Sequence, residues 1–268
     1  MNNLQVDNIY NMDCVEGLKQ LSDNSIDLIV TSPPYNIGID YDTWDDNLPW
    51  DKYLSWCNEW LTECYRVLKD DGRICINHYL NFKPKSVGLE TAFPLFDLYN
   101  IQNEIGFKVH KLAMWNDRTV VKHTAWGSFM SASAPNLQQP YEAILISYKK
   151  QWKKINSGES TISKDDFVEG VSGVWDLNTT PGYTIACFPE RLPQLCIDLF
   201  TYKGDIVLDP FSGSGTTCYV AKSLDRHYIG FEISERYWCE SISRLNGSPY
   251  KVEKQRNEDN SIKKTILF

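Results

Sequence analysis

The stretch VLDPFSGSGTT combines residue types that suit the binding of a small charged molecule. A hydrophobic strand runs into Asp209 and a loop with Gly213 and Gly215, and Thr216 and Thr217 open the next helix. Glycine lets a backbone turn tightly and approach a ligand closely. The N–H groups and hydroxyls at a helix start can hold a carboxylate. The stretch therefore predicts a ligand with an anionic end.

An acid follows this loop at a telling distance. Glu232 ends the apolar run of HYIGFEIS, 17 residues after Gly215. A carboxylate at the end of the next strand can accept hydrogen bonds from both hydroxyls of a ribose. The two stretches together predict a nucleoside that carries an amino-acid tail and is held by acids instead of basic residues.

The stretch TSPPYNIG begins where the apolar strand SIDLIV ends. Pro33 and Pro34 end the strand and fix the backbone, because a proline ring locks φ. Ser32 precedes them, and the aromatic ring of Tyr35 follows directly. A hydroxyl, a rigid carbonyl and a ring thus stand together after a buried strand.

Alternating strands and helices must position these two stretches. The hydrophobic periodicity predicts strands and helices in βα alternation. Right-handed crossovers between such units give a parallel sheet with helices on both faces. The predicted strands are 9–12, 26–30, 74–76, 104–115, 141–148, 205–208 and 228–231. The predicted helices start at 13, 51, 87, 189, 216 and 234. The second of these helices is expected to end at Asp70-Asp71-Gly72, and the third to span 87–100.

Composition restricts the class of protein. With 268 residues and 42% hydrophobic residues, the chain can bury one large core. No stretch approaches the roughly 20 apolar residues of a membrane span, and no signal pattern opens the sequence, so we expect a cytoplasmic protein. The 8 cysteines lack a CxxC pair and the 4 histidines lack metal-ligand spacing. We expect packed thiols and no metal.

The net charge of −8 is unevenly distributed. Residues 118–154 hold six basic residues against Glu142, so this segment carries +5 and the remainder −13 (−8 − 5). Local phosphate contact requires such a basic face on an acidic body. A solvated loop with chance lysines is the alternative at this point.

DPFSGSGTT and TSPPYN resemble the cofactor and catalytic motifs of S-adenosylmethionine-dependent amino-methyltransferases that act on DNA. With the catalytic motif first, the order is similar to the permuted β class of bacterial modification enzymes. The resemblance covers nearly the whole chain. It implies an α/β fold with a doubly wound, mostly parallel, seven-stranded Rossmann-like sheet that is circularly permuted. It also implies S-adenosylmethionine as cofactor and double-stranded DNA as partner.

The resemblance divides the chain and extends the cofactor site. Residues 1–148 match the catalytic half, 149–184 the place of the target recognition region, 185–247 the cofactor half, and 248–268 a tail. FPERLP looks like the motif that closes over the methionine end, and Asp13 is similar to the acid that contacts adenine. A helix N-cap and a core aromatic are the alternatives for Asp13 and Phe188. The implied cofactor-binding residues are Asp13, Phe188, Asp209, Phe211, Gly213, Gly215, Thr216, Thr217 and Glu232.

The resemblance also favours DNA binding over a solvated loop as the interpretation of the basic segment, because KKQWKK overlaps the expected recognition region. Aromatic rings interleaved with cations suit bases and phosphates. The predicted DNA-binding residues are Arg118, Lys122, Trp126, Lys149, Lys150, Trp152, Lys153 and Lys154.

Catalytic roles follow for Ser32, Pro33, Pro34 and Tyr35. A duplex base must be extruded and stacked on an aromatic ring, for which Tyr35 is the candidate. The Ser32 hydroxyl and the Pro33 carbonyl would accept the N–H groups of the amino nitrogen and aim its lone pair at the methyl group, with Pro34 completing the rigid step. Transfer is then direct, and no Pro-Cys dipeptide offers a covalent nucleophile.

The target base stays open between two amino groups. Serine at the first motif position looks more like cytosine-N4 enzymes, whereas aspartate is the usual adenine-N6 form. We expect cytosine-N4, with adenine-N6 as the alternative. A methyltransferase of protein amides and a cofactor-binding module without catalysis are remote alternatives. The resemblance further suggests a prokaryotic or phage origin, a cognate restriction endonuclease and a homodimer as expectations.

Overall fold

The computed structural model describes residues 4–39, 41–82, 91–117, 126–178 and 188–247. The predictions for Arg118, Lys122, Cys187 and the tail from 248 onward lie outside the described residues. The end of the expected recognition region, 179–184, lies outside them as well.

The described chain forms one sheet of eight strands with seven helices around it. The strands are β1 (Asn8–Asn11), β2 (Ile26–Thr31), β3 (Leu68–His78), β4 (Lys108–Asn116), β5 (Tyr141–Tyr148), β6 (Val174–Asp176), β7 (Ile206–Asp209) and β8 (His227–Glu232). The helices are α1 (Cys14–Lys19), α2 (Trp50–Val67), α3 (Pro94–Ile105), α4 (Lys164–Val171), α5 (Arg191–Phe200), α6 (Thr216–Ser223) and α7 (Glu235–Leu245).

The strand order is β1-β8-β7-β2-β3-β5-β4-β6. All pairings are parallel except those that β5 makes with β3 and β4. The doubly wound, mostly parallel sheet is therefore confirmed, and the short strand β6 adds an eighth strand to the seven expected. Because β2 and β7 are neighbours, the loops that follow them emerge side by side at the carboxyl edge of the sheet.

Two apolar layers hold the helices against the sheet. Side chains on alternate positions of β2 point to opposite faces, so Ile29 joins a core under α1 and α2, while Leu28 and Val30 join a core under α5 and α6. Each of these layers excludes water from one face of the sheet. The prediction of packed thiols holds for six described cysteines, which are buried, whereas Cys239 is exposed.

Several predicted boundaries are wrong for local reasons. Helix α2 ends at Val67, and β3 starts at Leu68, so the Asp70-Asp71-Gly72 stretch lies inside a strand instead of ending a helix. Helix α3 starts at Pro94, later than expected, and ends at Ile105, after which Gly106 caps it with φ +114. A proline suits the first helical position and a left-handed glycine suits the end.

Candidate active site and cofactor cleft

A cleft opens at the carboxyl edge of the sheet, where both motifs meet. It is lined by the loops after β2, β7 and β8, by the start of α1 and by aromatic residues of the segment before α2. The lining residues are Met12, Asp13, Cys14, Ser32, Pro34, Tyr41, Asp42, Thr43, Trp44, Trp56, Pro210, Phe211, Gly213, Phe231, Glu232, Ile233, Ser234 and Tyr237.

The Glu232 carboxylate is held firmly at one wall of the cleft. One oxygen accepts the backbone N–H of Gly213 at 2.8 Å, and the other accepts that of Ser234 at 2.9 Å. Burial raises the pKa of Glu232 to about 7 in spite of these two hydrogen bonds. Each carboxylate oxygen keeps acceptor capacity, as two ribose hydroxyls would require.

The glycines of the cofactor loop adopt backbone conformations that other residues rarely take. Gly213 has φ +50 and Gly215 has φ +75. A Cβ on Gly215 would lie 2.9 Å from the Ser241 Cβ and 3.1 Å from Ile9, so a larger residue has no room there. The predicted tight turn is thus present at both positions.

The hydroxyls at the start of α6, which are predicted to hold a carboxylate, have hydrogen-bond partners inside the protein. The Thr216 hydroxyl accepts a hydrogen bond from Arg244 at 2.9 Å. The Thr217 hydroxyl is fully buried and donates to the Val30 carbonyl at 3.4 Å. Both side chains therefore serve internal packing, and neither lines the cleft.

Asp209 joins the two motifs instead of facing the cleft. Its Oδ1 accepts the Thr31 hydroxyl at 2.7 Å and the Phe211 backbone N–H at 3.1 Å. The side chain is 2% exposed, and burial raises its pKa to about 6. Phe188 likewise packs in the core under α5, as its alternative interpretation held.

Asp13 has the N-cap position that its alternative interpretation predicts, and it also borders the cleft. It is the N-cap of α1, and its Oδ1 accepts the backbone N–H groups of Val15 at 2.8 Å and Glu16 at 3.2 Å. It also lines the cleft together with the cofactor loop's Gly213. The cap orients this carboxylate at the edge of the ligand space.

The catalytic loop contributes Ser32 and Pro34 to the cleft. The Tyr53 hydroxyl donates to the Pro34 carbonyl at 2.8 Å, and its oxygen lies 3.1 Å from His78 Nε2. Helix α2 therefore fixes the Pro-Pro step from below. Among described donors, no hydrogen bond to the Pro33 carbonyl is present.

Asp46 fixes the chain that follows the motif. Its carboxylate accepts four backbone N–H groups between 2.8 and 3.1 Å, those of residues 36–39. The side chain is 1% exposed. Asn36, in a left-handed conformation with φ +58, exchanges two hydrogen bonds with Leu48. The loop after Tyr35 is thus closed on itself.

A chain of hydrogen bonds leads from Ser32 into the protein. The Ser32 hydroxyl lies 2.9 Å from the Tyr35 hydroxyl, which in turn donates to Glu142 Oε2 at 2.8 Å. The Asn77 amide donates to the same Tyr35 oxygen at 2.7 Å and to Glu142 Oε2 at 2.6 Å. Burial is the main cause that raises the pKa of Glu142 to about 7.

The ring of Tyr35 is held as firmly as its hydroxyl. It stacks on His78 with ring centroids 4.1 Å apart, and Tyr79 meets it edge-on at 5.1 Å. Burial lowers the pKa of His78 to about 3, so this imidazole is neutral. Tyr35 is 9% exposed and is not among the residues that line the cleft.

Most of the predicted DNA-binding lysines lie at the opposite edge of the sheet. Lys149 is 6% exposed, and its ammonium donates to Asn24 Oδ1 and to the Arg66 and Leu68 carbonyls. Lys154 forms ion pairs at 3.1 Å with Asp27 and Asp205, near the amino ends of β2 and β7. Both cations are thus paired inside the protein at the edge away from the cleft, which speaks against their predicted role in DNA binding.

The rest of KKQWKK shares this location. Lys150 pairs with Asp70 near the start of β3, and the exposed Lys153 follows in the same stretch. Trp152 stacks on His110 at 3.7 Å and lies under the Arg73 guanidinium at 4.8 Å. The cause is the direction of β5: because it runs antiparallel, its carboxyl end reaches the amino edge of the parallel strands.

Trp126 lies in the connection between β4 and β5, which leaves the sheet at its carboxyl edge. Its side chain is 46% exposed, and Phe129 is 65% exposed next to it. The two rings contact each other with centroids 5.0 Å apart. Backbone hydrogen bonds from Ser128 to Ala134 and from Asn136 to Trp126 close this segment into a small hairpin.

Sequence reasoning missed several residues of the site. Glu142 was counted only as the one acid of a basic segment, although a carboxylate beside the apolar run AILIS is a signal for a paired or functional acid. Trp44, Trp56 and Tyr237 line the cleft but lie in segments without a recognisable motif. Among the residues described, no cluster with metal-ligand character and no helix long and apolar enough to cross a membrane is present.

A model of the N6/N4 methyltransferase family, described as DNA methylase, matches residues 26–243. The chain belongs to this DNA methylase family. The members of this family use S-adenosylmethionine. Residues of both sequence motifs line the cleft at the carboxyl edge of this chain.

Individual proteins are also similar to this chain. The type II methyltransferase M.MjaVI of Methanocaldococcus jannaschii is 46% identical over 162 residues, 60% of this chain and 80% of its own length. M.HpaI of Haemophilus parainfluenzae is 33% identical over 249 residues, 87% and 72% of the two chains. The Thermus thermophilus protein TTHA0409, solved with S-adenosyl-L-methionine, superposes with a TM-score of 0.72 at 26% identity, covering 90% of this chain and 93% of that one.

Proposed function

We propose that this DNA methylase transfers a methyl group from S-adenosylmethionine to the N4 amino group of cytosine at a specific site in double-stranded DNA. The observation that carries the proposal is the position of Ser32, which lines the same cleft as Gly213 and Glu232. A hydrogen-bond acceptor for an amino group and a pocket for the methyl donor thus share one space.

The residues of the cleft fit the cofactor. Glu232 presents a fixed carboxylate to the ribose hydroxyls, and Asp13 offers a second acceptor at the adenine end. Phe211 packs against Trp56 at 5.4 Å and supplies an apolar surface for the adenine ring. Gly213 allows close approach of the backbone. When bound, the cofactor supplies an electrophilic methyl group on a sulfonium.

The catalytic loop then treats an extruded base. Exocyclic amino nitrogens are poor nucleophiles because their lone pair is delocalised into the ring. Hydrogen bonds to the Ser32 hydroxyl and the Pro33 carbonyl would favour a pyramidal nitrogen and direct its lone pair at the methyl group. Tyr35 is proposed as the ring against which the base stacks, since His78 and Glu142 hold it at a fixed angle.

The choice of cytosine rests on Ser32. Serine at the first position of the motif is the habit of cytosine-N4 enzymes, whereas aspartate is usual for adenine-N6. Both amino groups present the same two hydrogens, so hydrogen-bond geometry at this position does not separate them. Adenine-N6 transfer is the competing outcome of the test below.

DNA is proposed to approach the carboxyl edge of the sheet. Trp126 and Phe129 project there from the β4–β5 connection, which ends two residues before Glu142. Arg118 and Lys122 belong to the same connection in the sequence and are retained as proposed phosphate contacts. The lysines of KKQWKK are not part of this proposal, because they lie at the opposite edge.

The names of the relatives support a place in a type II restriction-modification system, which would pair this chain with a cognate endonuclease. A homodimer and a cytoplasmic location stay predictions. An amide methyltransferase or a cofactor-binding module would bind DNA weakly and without steep salt dependence, whereas phosphate contacts make affinity fall strongly with salt.

Nucleoside analysis tests the proposal. Unmethylated DNA of mixed sequence is incubated with the protein and deuteromethyl-labelled cofactor, digested to nucleosides and examined by mass spectrometry. Labelled N4-methylcytosine is the expected product. N6-methyladenine alone would overturn the base assignment, and labelled protein without labelled DNA would overturn the whole proposal. Methylation-aware sequencing of DNA from expressing cells then returns the recognition site.

A further inference from the structure

The hydrogen-bond chain behind Ser32 gives this serine a defined direction. A serine hydroxyl is both donor and acceptor, so its usefulness toward an amino group depends on where its own hydrogen points. The Tyr35 hydroxyl has one hydrogen, which it donates to Glu142 Oε2, 2.8 Å from the hydroxyl oxygen. The Tyr35 oxygen is then an acceptor for Ser32, 2.9 Å away.

The direction of the chain is therefore set from its far end. With Glu142 ionised, the hydrogens run from Ser32 to Tyr35 to Glu142, and the lone pairs of Ser32 face the cleft. Asn77 strengthens this order, since its amide donates to both the Tyr35 oxygen and the carboxylate. A neutral serine thus gains the acceptor character that an aspartate has by charge.

We propose that Glu142 is a positioning carboxylate, which acts through Tyr35 to make Ser32 a hydrogen-bond acceptor and receives the proton that the amino group releases. This inference rests on the proposed function. It adds to it a residue far from the motif in sequence, on β5, that neither the motif nor the family match assigns.

Methyl transfer and proton transfer occur in sequence. The amino nitrogen's lone pair forms the new C–N bond while the C–S bond breaks and its electron pair stays on sulfur. The nitrogen then loses one N–H proton to Ser32, whose own proton passes to Tyr35, and the Tyr35 proton passes to Glu142. The products are a methylated amino group, a neutral thioether and a protonated carboxyl group.

The surroundings of Glu142 suit a group that takes up a proton near neutrality. Burial, together with the charge of Asp117, raises its pKa to about 7, against the two hydrogen bonds from Tyr35 and Asn77 that lower it. Tyr79 also faces it, and burial and the charge of Glu142 raise the pKa of that phenol. A carboxylate of this basicity holds a proton far better than an exposed one.

Two substitutions test the chain at different points. Glu142→Gln keeps the shape of the side chain but removes the charge, and Tyr35→Phe keeps the ring but breaks the chain in the middle. With saturating S-adenosylmethionine, so that the pH dependence of cofactor binding does not contribute, the wild-type single-turnover rate on a duplex with the recognised site should rise with pH to a plateau, with a midpoint near 7. The single-turnover rate of each variant should be about 10²-fold lower than that of the wild type at pH 8 and above, which is the scale of general acid–base catalysis. Each variant should also lose this pH dependence.

The double variant is the decisive measurement. If Glu142 acts through Tyr35, the double variant Glu142→Gln, Tyr35→Phe should be little slower than either single variant. Each single change already breaks the same hydrogen-bond chain, so the second change has little left to remove. Cofactor affinity should stay within about twofold of the wild type. Glu104→Gln, an exposed site on α3, is the matched control and should behave as the wild type.

Other results would overturn the proposal. A Glu142→Gln enzyme with the wild-type rate and pH profile would do so, as would multiplicative losses in the double variant. A readout independent of activity is the ¹³C signal of the Glu142 carboxyl, assigned by its absence in Glu142→Gln. Titration in the ordinary carboxyl range, or without a response to Tyr35→Phe, would refute the chain even if the protein methylated adenine or no DNA at all.

Discussion

Glu232→Gln should weaken cofactor binding and remove its pH dependence. Both carboxylate oxygens are committed to backbone N–H groups, at 2.8 Å and 2.9 Å, and each has acceptor capacity left for one ribose hydroxyl. An amide offers one acceptor oxygen, and its NH₂ group would face a backbone N–H. Losing a hydrogen bond to a charged group costs about 1.5–3 kcal/mol, which is about 10- to 150-fold in Kd.

The pH dependence follows from the raised pKa of Glu232, about 7 in the free protein. The hydroxyls bind to the ionised carboxylate, so affinity is constant above this pKa and falls as pH decreases through it. With a pKa of about 7, roughly nine tenths of the groups are ionised at pH 8 and one tenth at pH 6. The wild-type Kd should therefore rise about tenfold from pH 8 to pH 6.

Isothermal titration with S-adenosylmethionine at both pH values measures this, and Glu235→Gln is the control. Glu235 is an exposed residue of the first turn of α7, three positions further along the chain. Its substitution should leave Kd and the pH dependence unchanged. If Glu232→Gln bound within twofold of the wild type, or kept the tenfold change, the carboxylate would not hold the ribose.

Three further changes probe the supports of the site. Asp46→Asn should lower kcat with little effect on cofactor Kd, because four backbone N–H groups lose a charged acceptor. Single-turnover rates measure the effect on catalysis, and urea unfolding should show a loss of roughly 2–4 kcal/mol in stability. Lys154→Met should destabilise the fold by roughly 2 kcal/mol in urea unfolding, because Asp27 loses one of its two lysine partners. DNA affinity should stay unchanged. Trp126→Ala should weaken DNA binding in fluorescence anisotropy by about 1–3 kcal/mol if bases stack on it, and an unchanged affinity would remove it from the interface.

The sequence predicts the parts of this molecule that depend on local chemistry. Proline pairs, glycine turns and an acid after a strand are read directly, and the cleft brings together Ser32, Gly213 and Glu232 as expected. The predicted membership of an S-adenosylmethionine-dependent DNA methylase family is confirmed. The roles of individual residues stay predictions.

The failures share one physical origin, the direction of the chain in space. Counting charges cannot tell which edge of the sheet a lysine reaches, and the antiparallel course of β5 sends Lys149 and Glu142 to opposite edges. Likewise, nothing in the motif shows that the Thr216 hydroxyl is taken by Arg244, which is 28 positions further along. Contacts of this kind depend on the packing of distant helices.

The pairing of β1 with β8 has a consequence for the order in which the protein is made. Asn8 lies beside Ile229, so β1 finds its partner only after the chain has been synthesised as far as β8. Strands β2, β3 and β5 can pair earlier and already carry Ser32 and Glu142. A ribosome adds about 5–20 residues per second, so for several seconds the nascent chain holds a catalytic loop without a cofactor pocket. Methylation competence is therefore acquired last, with the final strands of the sheet.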